Sequence, residues 1–400
     1  MIESTKTLID ARNRKVTSFL VAFYFLYTYI EPYIVNITGS VGAYIILFVI
    51  TGLILFSRHF HFKSYHFAII GWLLYKFFSL LWTTDYAIFE AQYLTHIGII
   101  SLLIFITATE DGGIRFSTSV KSIWAGSAII GLLSLFMSKP YEGIDNRQVL
   151  TLFNHQIDPN NHASFLLYGV AISLYCLLYK KEHRWLHIIV LSINSYTTLI
   201  TGSRGALLSI GAIVLGYILT IYDKDTLKTT NKKIFVFAII VVFTAIVILN
   251  LLPTDIFERL FNFESYEGGN NRDIMWRHGL SVLSSPITLI MGAGWGSYKT
   301  NGFSSLHNTF LSMLCDVGLI GFSLLFAPTL KAAFSMAKKR NPLPLSVLIA
   351  GMAPAFFFES INKRAFWNAI IFVFIAYNHF LNEKEAENTA AKKHSKYVKN

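Results

Sequence analysis

Long apolar runs recur along almost the whole chain, and they limit its possible folds more than any other feature of the sequence. Twelve runs approach or reach the roughly 20 residues that a helix needs to cross a bilayer. They lie near Thr17–Ile37, Val41–Ser57, His66–Trp82, Ala91–Thr109, Ser119–Met137, Ala163–Tyr179, Trp185–Thr201, Gly205–Tyr222, Ile234–Leu252, Thr309–Phe334, Leu343–Phe358 and Ala365–Leu381. Because only helices and closed barrels satisfy their backbone groups in lipid, these runs predict an all-α polytopic membrane protein with about 12 transmembrane helices.

The composition agrees with a membrane protein and argues against other classes. Hydrophobic residues make up 54% of the chain and charged residues 14%, whereas soluble proteins carry about 25% charged residues. The net charge of +11 does not indicate nucleic-acid binding, because the Lys and Arg residues are spread over short segments between the apolar runs. Cys176 and Cys315 lie in apolar runs, so we expect packing rather than a disulfide. His59, His61 and His66 cluster without a Cys or a paired carboxylate, so we expect neither a metal nor a cofactor.

The distribution of positive charge predicts the orientation in the membrane. An even number of spans places both termini on one side, and most of the 34 Lys and Arg residues then fall in the cytoplasm if the N-terminus is cytoplasmic. We therefore expect a cytoplasmic N-terminus (residues 1–16) without a cleavable leader, a transmembrane domain (residues 17–382) and a disordered basic cytoplasmic tail (residues 383–400). This orientation places a long extracytoplasmic loop, residues 253–308, between helices 9 and 10.

Arginine side chains begin three of the predicted helices at this outer face. Arg204 follows a tight turn in ThrGlySerArgGlyAla, where Ser203 can cap the helix. Arg272 opens a helix in AsnAsnArgAsp, and Arg364 opens the last helix. Free N–H groups and the helix dipole favour an anion at such positions, and an arginine there suits a phosphate held by two hydrogen bonds. The alternatives are snorkelling or an ion pair for Arg204 and a solvated surface position for Arg272.

His307 precedes the tenth predicted helix and adds a titratable group to the same face. A lone histidine is commonly structural, but imidazole titrates near neutrality and suits a base or a hydrogen-bond partner for a sugar hydroxyl. Since Arg204, His307 and Arg364 each open a helix at the outer face, we expect them to converge on one diphosphate. The other predicted substrate contacts are Arg277, Arg364, Glu359, Asn308, Ser203 and Asn160.

Alternatives remain open for several of these polar residues. Helix capping competes with acceptor contact at Asn160, which lies in AspProAsnAsnHis before the sixth helix. Glu359 can bind sugar, orient an arginine or pair with the cations that follow it. Lys76 lies inside an apolar run, where a charge is costly, so we expect it to snorkel or to form an ion pair. GlyAlaGlyTrpGly (residues 292–296) lacks the strand–turn–helix context of a dinucleotide loop and is interpreted as a flexible turn.

Several motifs, in a fixed order, resemble those of one family of membrane proteins. They are ThrGlySerArgGlyAlaLeuLeu from residue 201, Arg272 with Trp276 four residues later, GlyAlaGlyTrpGly, and LeuHisAsn with Phe310 and AspValGlyLeuIleGly behind it. Together they are similar to the O-antigen ligase and O-antigen polymerase superfamily, whose members share a Wzy-C domain. The specific resemblance covers residues 201–321, and the helical outline extends it to most of the chain.

The resemblance implies a metal-independent, inverting glycosyltransferase with a GT-C-like helical fold. Its donor is expected to be a glycan on undecaprenyl diphosphate, with Arg204 and Arg272 matching the arginines that hold the diphosphate and His307 the histidine near the acceptor hydroxyl. Arginines can neutralise the leaving group where soluble enzymes use a metal. The resemblance further implies a multi-pass protein of the bacterial inner (plasma) membrane with its active site facing outward. Expected partners are membrane lipids, a chain-length regulator and a flippase, but no nucleic acid.

Two activities share this pattern. A polymerase joins lipid-linked repeat units into surface polysaccharide (O-antigen, capsule or exopolysaccharide), whereas a ligase moves the finished chain to the lipid A core. PheAsnHisGlnIleAspProAsnAsnHis before the sixth helix and LysArgAlaPheTrp before the twelfth favour the polymerase. A transporter or flippase is the third interpretation, but it needs paired charges at mid-membrane, and apart from Lys76 the apolar runs offer few.

Overall fold

The computed structural model describes residues 2–38, 41–57, 60–83, 87–109, 112–141, 144–180, 182–221, 250–261, 272–299, 305–339 and 341–397. Helices account for most of these residues. They are α1 (Ile2–Thr38), α2 (Val41–Phe56), α3 (Ser64–Phe78), α4 (Ala87–Ala108), α5 (Gly112–Met137), α6 (Pro159–Tyr179), α7 (Arg184–Ile200), α8 (Arg204–Ile221), α9 (Thr254–Phe261), α10 (Arg272–Val282), α11 (Pro286–Met291), α12 (Thr309–Ala337), α13 (Leu343–Met352) and α14 (Arg364–Tyr397). Short 3-10 turns follow α3 and α13, at Ser79–Leu81 and Pro354–Phe356.

The predicted apolar runs coincide with helices, except that the run near Ile234–Leu252 lies almost wholly outside the described residues. Five helical segments are long and apolar enough to cross a membrane, judged by length and composition alone. They are Ser64–Leu81, Arg115–Met137, Pro159–Tyr179, Thr309–Ala337 and Arg364–Glu387. Four shorter apolar helices accompany them, at Val41–Phe56, Gln92–Ala108, Arg204–Leu219 and Leu343–Phe356. The described residues thus have the character of a polytopic membrane protein, with five full-length spans where the sequence predicts about 12.

A small β-sheet follows α5, so the all-α prediction is wrong in this segment. Strands β1 (Ser138–Tyr141), β2 (Ile144–Leu152) and β3 (His155–Gln156) form an antiparallel sheet in the order β1-β2-β3. Phe153 and Asn154 connect β2 to β3 with φ angles of 53° and 59°, as in the two-residue turns that match strand twist. These strands are shorter than the apolar runs on either side, so the hydrophobic pattern of the sequence does not indicate them.

Both ends of the described chain are more helical than predicted. Helix α1 begins at Ile2 rather than near Thr17, and α14 continues to Tyr397 through most of the tail that was expected to be disordered. In α14, His379 and Glu383 face each other at spacing i,i+4, with 3.3 Å between Nε2 and Oε1. Such pairs and a run of residues with good helix propensity support a helix that continues beyond the apolar part.

Helices α6 and α14 run through the interior of the molecule. Each buries 72% of its most apolar window, a larger share than the other full-length spans bury. Helix α6 begins at Pro159 after an Asp158 cap, and Gly169 in its middle lies so close to Asn194 of α7 that a Cβ would overlap that side chain. The absence of a side chain at Gly169 therefore lets α6 and α7 approach each other closely.

The GlyAlaGlyTrpGly turn is packed tightly, which corrects the expectation of a flexible turn. Gly292 has a φ of 82°, and a Cβ on it would lie 2.5 Å from the carbonyl oxygen of Asp316. Gly318 interrupts α12 with a φ of 58°, and the GlyAlaGlyTrpGly turn packs against this kink at Gly292. The N–H of Ala293 donates to the Cys315 carbonyl at 2.7 Å, and Trp295 is fully buried. Because L side chains rarely adopt such φ angles, glycine is needed at both positions.

Lys76 of α3 forms an ion pair in the interior, as one of its two predicted alternatives required. Its Nζ lies 3.7 Å from Oδ2 of Asp316 in α12, and the lysine side chain is only 2% exposed. The same Nζ lies 4.2 Å from the centroid of the Trp295 ring, while Asp316 Oδ1 accepts the N–H of Gly296 at 2.8 Å. The pair therefore joins α3, α12 and the turn between α11 and α12.

Candidate functional site

A polar cavity of about 70 Å³ brings together four arginines from separate parts of the chain. Its lining residues are Arg147, Asn160, Gly202, Ser203, Arg204, Gly205, Arg259 and Arg272. Two of the arginines stand at helix starts, Arg204 at α8 and Arg272 at α10, whereas Arg147 lies on β2 and Arg259 on α9. Four of the residues singled out from the sequence thus meet here: Arg204, Arg272, Ser203 and Asn160.

The turn from α7 to α8 places Arg204 at the cavity. Gly202 adopts a φ of 61° and its N–H donates to the Leu199 carbonyl at 2.9 Å, as in a glycine-terminated helix end. Ser203 then caps α8, because its Oγ accepts the N–H of Ala206 at 3.2 Å. The predicted cap is therefore present, and the same Oγ also donates to Oδ1 of Asn160 at 2.7 Å.

Arg147 supports this turn from the sheet. Its side chain is buried, with 7% of the residue exposed. Its Nε donates to the Thr201 carbonyl at 2.9 Å, and its Nη2 lies 3.4 Å from Oδ1 of Asn160. Asn160 is held in turn at the start of α6, where Asp158 accepts the N–H of Asn160 at 2.8 Å and that of Asn161 at 3.2 Å. Capping of α6 is thus done by Asp158, which leaves the Asn160 side chain at the cavity.

Arg204 and Arg259 hold each other's main chain. Nε of Arg204 donates to the Arg259 carbonyl at 2.9 Å, and Nε of Arg259 donates to the Gly202 carbonyl at 3.2 Å. These reciprocal bonds attach the short helix α9 to the turn. Arg147 and Arg259 were not predicted as site residues, because neither opens a predicted helix at the outer face. The alternation of IleAspAsnArgGlnValLeuThrLeu and the amphipathic ThrAspIlePheGluArgLeuPhe were the available signals.

The electrostatics of the cavity favour an anion with more than one negative charge. Among the described residues that line it, none is acidic, while four carry a guanidinium group. The first turns of α8 and α10 add backbone N–H groups and the positive ends of two helix dipoles. A guanidinium presents a planar fork that matches the oxygens of a phosphate. The site is therefore chemically suited to a phosphate or a diphosphate.

His307 lies beside this cavity rather than in its lining. The residue is exposed, its φ is 46°, and its N–H donates to Ser305 Oγ at 3.0 Å. The carbonyl of the preceding residue, Leu306, accepts the indole N–H of Trp276 at 3.0 Å. This bond connects the segment that contains His307 to α10, the helix that begins at Arg272. Partial burial and the positive charge of Arg272 lower the pKa of His307 below its usual range, against the opposing effects of Glu359 and Asp158. The imidazole is therefore neutral at neutral pH and able to accept a proton.

Glu359 accepts hydrogen bonds from two hydroxyl groups, and one of them belongs to Ser305, which also contacts His307. Its Oε1 accepts the Tyr298 hydroxyl and its Oε2 accepts the Ser305 hydroxyl, both at 2.7 Å. Burial and the Glu359 carboxylate raise the pKa of Tyr298 well above its usual range, so the phenol keeps its proton and remains a donor. Glu359 does not pair with the cations that follow it in any contact that the described residues show.

The remaining predicted site residues have other partners or lie elsewhere. Arg364 donates two hydrogen bonds to Glu31 of α1, at 2.6 Å and 2.8 Å, and does not line the arginine cavity. Asn308 caps α12, because its Oδ1 accepts the N–H groups of Phe310 and Leu311 at 3.1 Å each. Arg277 is exposed on α10, outside the cavity lining. Arg364 thus forms an ion pair with Glu31 and, unlike Arg204, does not line the arginine cavity.

The described residues contain no group of three His, Cys, Asp or Glu side chains arranged to hold a metal ion. His61 and His66 of the histidine cluster are described, whereas His59 is not. His66 is buried, with Nδ1 near the Lys63 N–H at 2.8 Å and Nε2 near Thr107 Oγ1 at 3.0 Å. These contacts give His66 a structural role.

Comparison with known families identifies the part of the chain that carries most of this site. Residues 187–326 match the Wzy_C family, described as O-Antigen ligase. The matched segment contains six of the eight residues that line the arginine cavity, and it also contains His307. The other two lining residues, Arg147 and Asn160, lie outside it, as does Glu359. No curated protein matches the sequence. The family match confirms the resemblance to the O-antigen ligase and polymerase superfamily, and with the apolar helices it supports a glycosyltransferase-like membrane enzyme.

Proposed function

We propose, from the O-antigen ligase family match at residues 187–326, that the protein is an inverting, metal-independent glycosyltransferase of the bacterial inner membrane. Its reaction is the polymerisation of undecaprenyl-diphosphate-linked oligosaccharide repeat units into surface polysaccharide. One observation carries the proposal: four arginines and two helix N-termini surround a single cavity without an acidic residue in its described lining. A lipid diphosphate supplies the complementary group, two linked phosphates with a negative charge on each.

The donor diphosphate occupies the arginine cavity in this proposal. Arg204 and Arg272 bind the phosphate oxygens, where each guanidinium also faces the charge that grows as the sugar leaves. Arg147 and Arg259 hold the α7–α8 turn through the carbonyls of Thr201 and Gly202, and their charges add to the same field. Because these bonds exist before the diphosphate arrives, the donors need little reorganisation during the reaction.

The chemical step is a single displacement at the anomeric carbon. The hydroxyl oxygen of the acceptor sugar attacks from the face opposite the diphosphate and forms the new glycosidic bond, which inverts the configuration. The bond between the anomeric carbon and the phosphate oxygen breaks, and its electrons leave with undecaprenyl diphosphate. The neutral imidazole of His307 accepts the hydroxyl proton, a role that its lowered pKa allows at neutral pH.

The proposal requires the sheet and the arginine cavity to face away from the cytoplasm. Lys139 on β1 and Lys180 after α6 are both exposed and lie at opposite ends of the α6 region. We expect a Lys139→Cys variant to react with a membrane-impermeant maleimide in intact cells, and a Lys180→Cys variant to react only after permeabilisation. The unsubstituted chain, with Cys176 and Cys315, gives the background. Labelling of Lys180→Cys but not Lys139→Cys in intact cells would invert the proposed orientation.

Reconstitution with purified lipid-linked repeat units tests the activity itself. A polymerase is expected to give a ladder of products of increasing length from these units alone. Activity is expected to survive EDTA, since arginines take the place of a metal at the diphosphate. Loss of activity that Mg²⁺ restores contradicts the metal-independent mechanism.

Ligation is the second candidate, favoured by the description of the matched family as O-Antigen ligase. In the same assay a ligase transfers glycan only when lipid A core is added. Translocation of lipid-linked units without any new glycosidic bond identifies a transporter, the third interpretation, and contradicts both transferase assignments.

A further inference from the structure

Glu359 lies at the centre of a hydrogen-bonded group that is separate from the arginine cavity. Tyr298 and Ser305 each donate a hydroxyl proton to one of its two carboxylate oxygens, at 2.7 Å. Distances of about 2.7 Å are typical of strong O–H···O bonds to a charged acceptor. With both oxygens occupied by residues of the chain, Glu359 is poorly placed to be a direct sugar ligand, which is one of the roles that the sequence allowed.

Ser305 connects this carboxylate to His307. A serine hydroxyl has one proton and two lone pairs. Its proton is directed to Glu359, so a lone pair of the hydroxyl oxygen remains to accept the backbone N–H of His307 at 3.0 Å. The contact matters because His307 has a φ of 46°, a left-handed conformation that few residues other than glycine adopt. Such a conformation persists only where the surroundings hold it.

A second set of bonds joins the same two segments on the other side of His307. Thr309 Oγ1 donates to the Phe358 carbonyl at 2.9 Å and accepts the N–H of Ser360 at 2.7 Å. Thr309 and Ser360 are both buried. Residues 305–309 and 358–360 therefore form one unit, in which Glu359 is the charged member.

We propose that Glu359 is a positioning residue that fixes His307 through Ser305, so that the imidazole faces the acceptor hydroxyl. This inference rests on the proposed function only for the role of the imidazole as base. Tyr298 holds the opposite carboxylate oxygen, and its own carbonyl lies 2.9 Å from Nε2 of His278 in α10. The carboxylate is thereby fixed from the side opposite Ser305.

The charges around His307 set its pKa, and this pKa is a readout that the hydrogen bond from Ser305 alone does not affect. Arg272 at the start of α10 lowers the pKa of His307, whereas Glu359 after α13 and Asp158 before α6 raise it. Substitution of Glu359 by glutamine removes one of the two negative charges and keeps the size of the side chain. The pKa of His307 is then expected to fall further, which extends the neutral form to lower pH.

The test combines kinetics with chemical modification in three variants of the full-length protein. Diethylpyrocarbonate modifies neutral imidazole, so peptide-resolved mass spectrometry over a pH series gives the modification midpoint of His307 without requiring activity. The variants are Glu359→Gln, Ser305→Ala, which keeps the charge but cuts the link, and Glu258→Gln as a control on the exposed face of α9. Thermal unfolding midpoints confirm that each variant is folded.

We expect both Glu359→Gln and Ser305→Ala to lower kcat by about tenfold or more, a part of the roughly 10²–10⁴-fold that acid–base catalysis contributes. KM for the lipid-linked donor stays within about twofold of wild type, because the arginine cavity is unchanged. Glu359→Gln alone moves the His307 midpoint and the acidic limb of the pH–rate profile to lower pH. Glu258→Gln is expected to change neither kcat nor the modification midpoint of His307.

Two results would overturn the inference. A raised KM with unchanged kcat in Glu359→Gln means that the carboxylate contacts the sugar directly. An unchanged His307 midpoint and kcat in that variant mean that Glu359 does not act on His307. If the wild-type protein transfers no glycan in any reconstitution, the proposed function fails, while a shifted midpoint still supports the positioning contact.

Discussion

Replacement of Arg272 by alanine is expected to lower kcat for glycan transfer by about 10²–10³-fold, the usual cost of removing one donor that stabilises a growing negative charge. Arg272 opens α10 at the cavity, and its charge also acts on His307. The loss is measured in the reconstituted assay with purified lipid-linked donor. Arg204→Ala is expected to be as severe, and it also removes the bond to the Arg259 carbonyl.

The pH dependence of the Arg272 variant tests the same assignment independently. Arg272 lowers the pKa of His307, so its removal raises that pKa. The residual activity of Arg272→Ala is therefore expected to lose its acidic limb at a higher pH than wild type does. Arg272→Lys keeps the charge but not the planar fork, so it retains the wild-type limb with a reduced rate.

Arg184→Ala is the control for these variants, because Arg184 is an exposed arginine at the start of a different helix, α7. It is expected to behave as wild type. Wild-type transfer by Arg272→Ala, in protein that inserts normally, would contradict the placement of the diphosphate in the arginine cavity.

Replacement of Lys76 by methionine is expected to destabilise the fold by about 3–5 kcal/mol, since it leaves the buried Asp316 carboxylate without its cation. The change also removes the contact of Nζ with the Trp295 ring. The measurement is the free energy of unfolding in detergent. Lys331→Met, at an exposed lysine of α12, is the matched control and is expected to change stability by less than about 0.5 kcal/mol.

A double variant separates the ion pair from general damage to packing. Asp316→Asn removes the charge and keeps an oxygen that can accept the N–H of Gly296. We therefore expect Lys76→Met combined with Asp316→Asn to be more stable than Lys76→Met alone. If the double variant is the less stable of the two, the cost does not arise from an uncompensated carboxylate.

The helices were predictable because each apolar run carries its own signal, and so were local caps such as Ser203. The meeting of Arg204 and Arg272 was an expectation from the family resemblance, in which both match the arginines that hold the diphosphate. The partner of Arg364 was not predictable, since Glu31 lies 333 residues away and only the packing of α1 against α14 brings them together. Arg147 was not predicted either, because its contact with Thr201 depends on a sheet that the apolar runs of the sequence do not indicate.

Four guanidinium groups around one cavity repel one another, yet the bonds from Nε of Arg147, Arg204 and Arg259 to main-chain carbonyls keep three of them in place. Such an active site lowers the conformational stability of the protein but is arranged in advance to bind an anion. A bound dianion relieves the mutual repulsion, so the conformational stability of the protein is highest when the dianion is bound. Variants selected only for heat resistance would consequently tend to lose these arginines first, and with them the catalyst.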